Sequence, residues 1–422
     1  MTRTLAPVLS LLLATAILLT GNGLQGTLIP IRADIEHFAT TTVGLIGSVY
    51  FAGFMAGCIL GPVLVKRAGH IRTFAALAAL ASIVPLVHAL VIEPVVWGAM
   101  RALNGFCFAG LYMVIESWLN ERATNETRGS LLSVYLMVNL SSLTLGQLLL
   151  NAAPPSQFTL FAACSILTSL ALVPVSLTTS VQPAPVGSTR IDVRKLYSLS
   201  PVGLMGSFVV GVANAPFWTL GPVFAKDSGL DLKGVSFFMV AAIFGGAIAQ
   251  IPIGRLSDRS DRRHVIFVIS LGAALGEVAL VLAHGIGAES LLLATGFLFG
   301  VFALPLYSVC VAHTNDHASS ESFVSVSGAL LLTYAVGAIL GPAAASLGTE
   351  RWGMPFIFMF GAAVHIVFAG FTAFRVKYAP PVPAEQRSDF VVVPFPPTQP
   401  APPELDPRTS AEPAREDQAN IS

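Results

Sequence analysis

The chain has 422 residues, with 23 Lys and Arg balanced by 23 Asp and Glu for a formal net charge of zero. Only 11% of residues are charged and 54% are hydrophobic, giving a mean hydropathy of +0.74. A soluble chain carries about a quarter charged residues, so this composition excludes a water-soluble globular protein and points to a bilayer. With no basic excess, no nucleic-acid partner is expected.

A hydrocarbon core about 30 Å thick takes about 20 apolar residues of helix. Twelve runs reach that length, the first over residues 6–30. It follows Arg3, lacks a convincing cleavage site and is longer than a signal-peptide core, so it reads as a retained first span. Spans two to six follow at 42–64, 74–93, 95–119, 130–152 and 157–178. Residues 178–195 are rich in Pro, Ser and Thr, which is linker chemistry. Spans seven to twelve occupy 200–225, 234–254, 264–284, 288–312, 323–346 and 354–374. The expected division is one six-helix bundle in 1–178, a cytoplasmic linker in 179–199, a second bundle in 200–376 and a tail in 377–422. The tail is proline-rich and predicted to be disordered, and only its apolar patch Phe390 to Phe395 has the composition to dock. Cys58, Cys107, Cys164 and Cys310 fall on different spans and read as packing residues, not as disulfides or metal ligands.

With both termini placed in the cytoplasm, fifteen Lys and Arg flank the spans on that side. Only Arg32, Lys226, Lys233 and Arg351 lie on the other. This bias predicts twelve spans with both ends inside. It also makes GRLSDRSDRR, residues 254–263, a cytoplasmic loop between spans eight and nine, with six charges in ten positions.

The halves repeat. Pro62–Arg72 after span two matches Gly254–Arg263 after span eight, and Leu131–Gln147 in span five matches Val326–Pro342 in span eleven, aligning Gly146 with Gly341. Such repeats imply pseudo-symmetry, with a substrate site near the midplane between the halves. Gly254-Arg-Leu-Ser-Asp258-Arg259-Ser-Asp261-Arg262-Arg263 resembles the G-x-L-x-D-R-x-G-R-R signature of the major facilitator superfamily, with Asp261 in place of a glycine. In the first-half copy Pro62 replaces the glycine and Lys66 the aspartate, while Gly69 is kept. Arg101-Ala-Leu-Asn104-Gly105 resembles the family's R-x-x-Q-G element, and Gly337-Ala-Ile-Leu-Gly341-Pro342 its antiporter G-x-x-x-G-P. With Thr127–Tyr135, the chain most resembles a little-characterised bacterial branch, over residues 1 to about 376. The resemblance implies an all-α membrane fold of twelve helices in two pseudo-symmetric six-helix bundles.

A helix N-terminus carries about half a positive charge and favours a nearby carboxylate. Asp258 is the candidate, and pseudo-symmetry sets it against the start of span five, Gly129 to Leu131, as a cytoplasmic latch. Gly254, Arg259, Arg262, Lys66, Arg67, Glu116 and Arg128 belong to the same expected latch. Lys66 cannot do for span eleven what Asp258 does for span five, so the latch is expected to be asymmetric.

Ionisable residues inside spans are costly and are functional candidates. Arg101 suits an anionic substrate group or a bond to span-one carbonyls. Glu116 suits pairing with the basic turns or proton coupling, and Glu277 in span nine suits either proton carriage or a neutral acid bonded locally. His88 and His365 read as packing residues. The expected substrate contacts are Asn22, Gln25, Tyr50, Arg101, Asn104, Tyr112, Asn139, Gln147, Asn214, Trp218, Gln250, Tyr307 and Tyr334. Amides mixed with aromatic rings suit a neutral or amphipathic organic ligand. Gly53, Gly57 and Gly61, Gly296 and Gly300, and Gly337 and Gly341 have the spacing for close helix approach.

No G-x-x-x-x-G-K-[ST], H-E-x-x-H or G-x-S-x-G is present, which argues against direct ATP drive and against a membrane enzyme. The expectation is a monomeric secondary transporter of a small organic solute in a bacterial inner membrane. It would work by alternating access without cofactor or metal and be proton-coupled, and the span-eleven G-x-x-x-G-P points toward efflux without fixing the direction. The alternative is a non-transporting receptor or assembly factor acting through its tail.

Overall fold

The computed structural model describes residues 8–123, 127–177, 193–318 and 323–378, and beyond them 380, 382, 383, 387 and 390–393. Most of the expected linker and tail, and the side chain of Arg128, lie outside the described residues. Among the described residues there is no strand. Among these residues, twelve helices are long and apolar enough to cross a membrane. They are α1 (Leu9–Ile35), α2 (Thr40–Ala68), α3 (His70–Leu90), α4 (Pro94–Arg122), α5 (Gly129–Ala152), α6 (Thr159–Ser176), α7 (Pro201–Asp227), α8 (Leu232–Arg259), α9 (Arg262–Ile286), α10 (Glu289–Asn315), α11 (Ser325–Trp352) and α12 (Phe356–Tyr378). A short helix, Val193–Leu199, precedes α7.

Polar caps start several of them. The Glu93 carboxylate accepts from the Val95 and Val96 amides ahead of α4, whose first residue is Pro94. Asp231 accepts from Gly234 N–H at 2.7 Å to open α8, and Ser200 accepts from Gly203 N–H at 3.1 Å to open α7. Each cap satisfies an amide that the helix itself leaves unbonded.

Two expectations are corrected. Residues 254–263 are not a loop. The helix runs through Arg259, and only Ser260 and Asp261 separate α8 from α9. Basic side chains suit the negative end of the helix dipole, so charge does not stop the helix where apolarity ends. Asp261 has φ −63° and caps α9 through Arg263 N–H at 3.0 Å, which explains why this position does not require glycine. Gly69 in the matching turn has φ +80° and does require it. Span ten is also not continuous: helix ends at Ala303 and resumes at Leu306 around Pro305, which has no N–H to give.

The halves pack alike. In the first, α2 lies on α4, α1 on α5 and α3 on α6; in the second, α8 lies on α10, α7 on α11 and α9 on α12. The aligned glycines occupy the same crossing, Gly146 of α5 against the α1 backbone at Thr20 and Gly341 of α11 against the α7 backbone at Val212. A side chain at either would fall on that backbone.

Twelve successive crossings put the ends of α2, α8 and α12 and the starts of α1, α5 and α7 on one face, here called the linker face. The opposite face is the distal face. Between the halves α2 meets α11, α5 meets α8 and α1 meets α7. Near the distal face these contacts include Lys226 Nζ to Asp34 Oδ2 at 2.5 Å and Thr41 Oγ1 to Glu350 Oε1 at 3.0 Å. Asn151 Nδ2 meets Ser236 Oγ at 3.0 Å, and Ala343 N–H donates to Ser48 Oγ at 3.1 Å. Gly44 lies against Ser346 and Gly47 against Thr219. Two large apolar clusters, one toward each face, take side chains from both halves.

Candidate functional site

A cavity lies between the halves in their distal part. α1 supplies the largest share of its wall, and Asn22, Gly26, Pro30 and Ala33 recur at helical spacing and so share one face. α2 contributes Ile46, Gly47, Tyr50 and Phe51; α4 Arg101; α5 Leu143 and Gln147; α7 Trp218 and Thr219; α8 Met239. Among the described residues that line it, Arg101 is the only charged one.

The guanidinium carbon of Arg101 stands 4.3 Å from the centre of the Tyr50 ring. The ring's negative face holds the cation in place. Arg101 Nε is buried without a hydrogen-bond partner, and no bond to a span-one carbonyl is present among the described contacts. Opposite, Gln147 donates to the Gly23 carbonyl at 3.2 Å and accepts from the Thr27 hydroxyl, which turns its amide across the α1–α5 seam. Asn22 donates to the Tyr112 hydroxyl at 3.3 Å. The Trp218 indole N–H has no partner.

Beneath the cavity, toward the linker face, is an aromatic layer. Phe51 meets Tyr334 edge-on at 6.2 Å, and Tyr334 meets Tyr307 at 5.6 Å. These rings are buried, and Phe51 is also part of the cavity wall.

Of the residues expected to touch a substrate, the structure places Asn22, Tyr50, Arg101, Gln147 and Trp218 on the cavity wall. The others are not on that wall. Gln25 accepts from Asn104 at 3.2 Å inside the α1–α4 seam. Asn22 and Gln25 are three positions apart, so they sit about 60° from one another around the helix. One faces the cavity and the other the neighbouring helix. Asn214 donates to the Ala303 carbonyl at 2.9 Å, satisfying an acceptor at the break in α10. Tyr112, Asn139 and Gln250 are buried away from the wall, and both polar atoms of Gln250 lack partners. Thr27, Phe51, Thr219 and Met239 line the cavity and were not singled out by sequence. For Thr27 the signal exists, since it lies on the glycine-rich side of α1; nothing comparable marks Met239.

The linker-face group is built around Arg262, which is only 1% exposed. It bonds Asp316 at 2.7 Å, Asp258 at 3.1 Å and the Ser257 hydroxyl at 2.8 Å. Asp258 therefore pairs within its own half, and it also accepts Phe390 N–H at 2.9 Å rather than an amide of the α5 start. Gly254 lies under the Phe390 ring. Lys66, Arg67 and Arg259 are exposed at the ends of α2 and α8. Asp261 clamps Arg263 at 2.7 Å. Burial pushes its carboxyl up, but the Arg263 hydrogen bonds outweigh burial and hold it below the usual carboxylate value. Glu116 is buried and accepts from the Tyr135 hydroxyl at 3.0 Å. Glu277 and His365 form a buried pair at 2.8 Å between α9 and α12, away from the cavity, so His365 is a partner rather than only packing. His88 bonds the Val84 carbonyl at 2.7 Å and packs on Trp97. Among the described residues no cluster of His, Cys, Asp and Glu has the arrangement to hold a metal.

Twelve membrane-length helices in two matching halves, with a cavity between them, are the architecture of a multi-pass membrane transporter. The chain belongs to the Major Facilitator Superfamily, whose sequence pattern matches residues 11–246 and 203–411. It is 27% identical over 364 residues to the uncharacterized MFS-type transporter YcaD of Escherichia fergusonii, spanning 86% of this chain and 94% of that one. It is 28% identical over 375 residues to the uncharacterized MFS-type transporter Ent638_1421 of Enterobacter sp. (strain 638), with the same shares. Among solved structures it resembles the nucleoside transporter NupG, with a TM-score of 0.76 at 13% identity over 88% of this chain and 99% of that one. It also resembles a bacterial homologue of the human lysosomal transporter Spinster, with a TM-score of 0.70 at 14% identity over 90% and 98%.

Proposed function

We propose that this transporter moves an amphipathic organic monoanion across a bacterial inner membrane by alternating access, acting as a monomer and in the efflux direction. The observation that carries the substrate class is Arg101. A guanidinium facing a cavity whose lining holds no carboxylate leaves an unbalanced positive charge, and one anionic group on the substrate balances it. Tyr50, Phe51 and Trp218 offer ring faces to the apolar part of such a molecule, and Asn22 and Gln147 offer amides to its polar edge.

The rocking bodies in this reading are residues 1–178 and 200–376, and the basic linker face is cytoplasmic. Asp258 is the moving part of the latch. Here it bonds Arg262, and in the alternate state it caps the start of α5, with Gly254, Lys66, Arg67, Arg128 and Arg259 around it. The proton carriers assigned are the two buried carboxylates, Glu116 on Tyr135 and Glu277 on His365.

The test is thermal denaturation of purified protein with a panel of organic acids, amino acids, sugars and nucleosides at two pH values. An anionic ligand that binds only the folded state raises the melting temperature. The expected result is stabilisation by an organic acid that disappears in Arg101→Gln. Stabilisation by neutral solutes alone, or one that survives Arg101→Gln, overturns the assignment.

A further inference from the structure

The tail returns to the protein. Arg387 donates to the Ser260 carbonyl at 2.8 Å, in the turn between α8 and α9. Phe390 N–H donates to Asp258 Oδ1 at 2.9 Å, and the Phe390 ring covers Gly254 so closely that a Cβ there would collide with it. Val393 N–H donates to Ser308 Oγ of α10 at 3.2 Å, and the Val393 carbonyl accepts from the same hydroxyl at 3.5 Å. Val393 is 1% exposed and joins the apolar cluster that also holds Leu131 and Tyr135 of the first half and Ile253 and Tyr334 of the second.

Two kinds of recognition coincide here. Backbone groups of a non-helical segment are read by side chains of α8 and α10, and two apolar side chains are received by a small residue and a buried cluster. That combination is what peptide-recognition sites use. The segment suits it, because Pro380, Pro381 and Pro383 precede it and Pro394, Pro396 and Pro397 follow it. Proline restricts the free chain to extended forms and lowers the entropy lost on docking.

The docked segment also takes a contested acceptor. Phe390 N–H holds Asp258 Oδ1, one of the two carboxylate oxygens that would cap α5 in the alternate state. We propose that the tail residues Arg387, Phe390 and Val393 anchor an intramolecular strap, a built-in peptide ligand of the α8–α10 groove that restrains the halves from exchanging states until it is released. The proposal rests on the rocking motion put forward above, but not on its substrate.

The test is a distance measurement. Spin labels are placed at exposed positions on the linker face, Ser130→Cys in α5 and Arg255→Cys in α8, in full-length protein with Cys58→Ala. The strap is disabled by Phe390→Ala with Val393→Asp. A synthetic peptide of residues 386–397 is then added back, with a scrambled peptide as control. The full-length chain is expected to show one dominant distance, with a second state at about a tenth or less, the usual weight of a minor state. The strap variant is expected to raise that second population several-fold, and the peptide, but not its scramble, to reverse the rise. Identical distance distributions with and without the strap overturn the proposal, as does a rise that the peptide fails to reverse. A chain ended after Tyr378 serves as a second variant, so a folding defect of the substituted tail cannot mask the result. No solute enters this measurement, so its failure is separate from any failure to find an organic-acid ligand.

Discussion

Arg101 and Tyr50 meet across the α2–α4 seam with the guanidinium carbon 4.3 Å from the ring centre, and the proposed anion site rests on this contact. Tyr50→Leu removes the ring face while keeping apolar bulk, and it should weaken ligand affinity by about five-fold, or about 1 kcal/mol. Arg101→Lys keeps the charge but not the planar fork, and should cost more affinity than Tyr50→Leu. Isothermal titration with the stabilising ligand checks both. Equal affinity in all three proteins would remove Arg101 from the site.

Gly47 lies against Thr219 near the distal face. Gly47→Leu should force α2 and α7 apart and leave the cavity open on that side. The measurement is the rate at which a membrane-impermeant thiol reagent modifies Thr27→Cys, a cavity-wall position, with and without Gly47→Leu. The rate is expected to rise. By contrast Lys226→Ala breaks an exposed ion pair and should change stability by only about 0–1 kcal/mol.

The Glu277–His365 pair is almost wholly removed from solvent. Glu277→Gln retains an acceptor for the ring N–H and should cost about 1 kcal/mol. Glu277→Ala strips the ring of its partner inside the α9–α12 seam and should cost about 3–5 kcal/mol. Because neither residue lines the cavity, Glu277→Gln should leave ligand affinity unchanged. Chemical denaturation and ligand titration of the two variants check this.

Asp261 stands where the family signature has glycine, and it caps α9 while clamping Arg263. Its carboxyl is held below the usual value near 4, so the folded state favours the ionised form. The stability it contributes is therefore present above that usual value, and it is lost as pH falls through the lower folded-state value. Asp261→Asn should destabilise the protein at neutral pH, and its melting temperature should converge on that of the parent in strong acid. Asp261→Gly should lose the side-chain cap as well, at a further cost of only about a few tenths of a kcal/mol.

Much of the architecture was legible because lipid imposes requirements that are local in sequence. Each crossing needs its own apolar run, and both the run count and the repeat of Gly146 as Gly341 agree with the observed helix pairs. The ends of α2 and α8 were less legible, since helix formation continues past the last apolar residue into charged turns that face water. The cavity was only partly legible. Asn22, Tyr50, Arg101, Gln147 and Trp218 stood out as polar or aromatic groups in apolar spans, but so did Gln25, Asn104 and Asn214, which bind neighbouring helices.

A single amino-acid sequence thus determined that the chain crosses a membrane twelve times in two related halves, because apolar length and repeated motifs are properties of neighbouring residues. Only tertiary structure decided that Asn22 faces the cavity while Gln25 faces α4, that Arg101 has no acidic partner on the cavity wall, and that the tail reaches Asp258. Those outcomes depend on how each helix is rotated and how closely it crosses the next. Side chains far apart in the chain set both by fitting against one another.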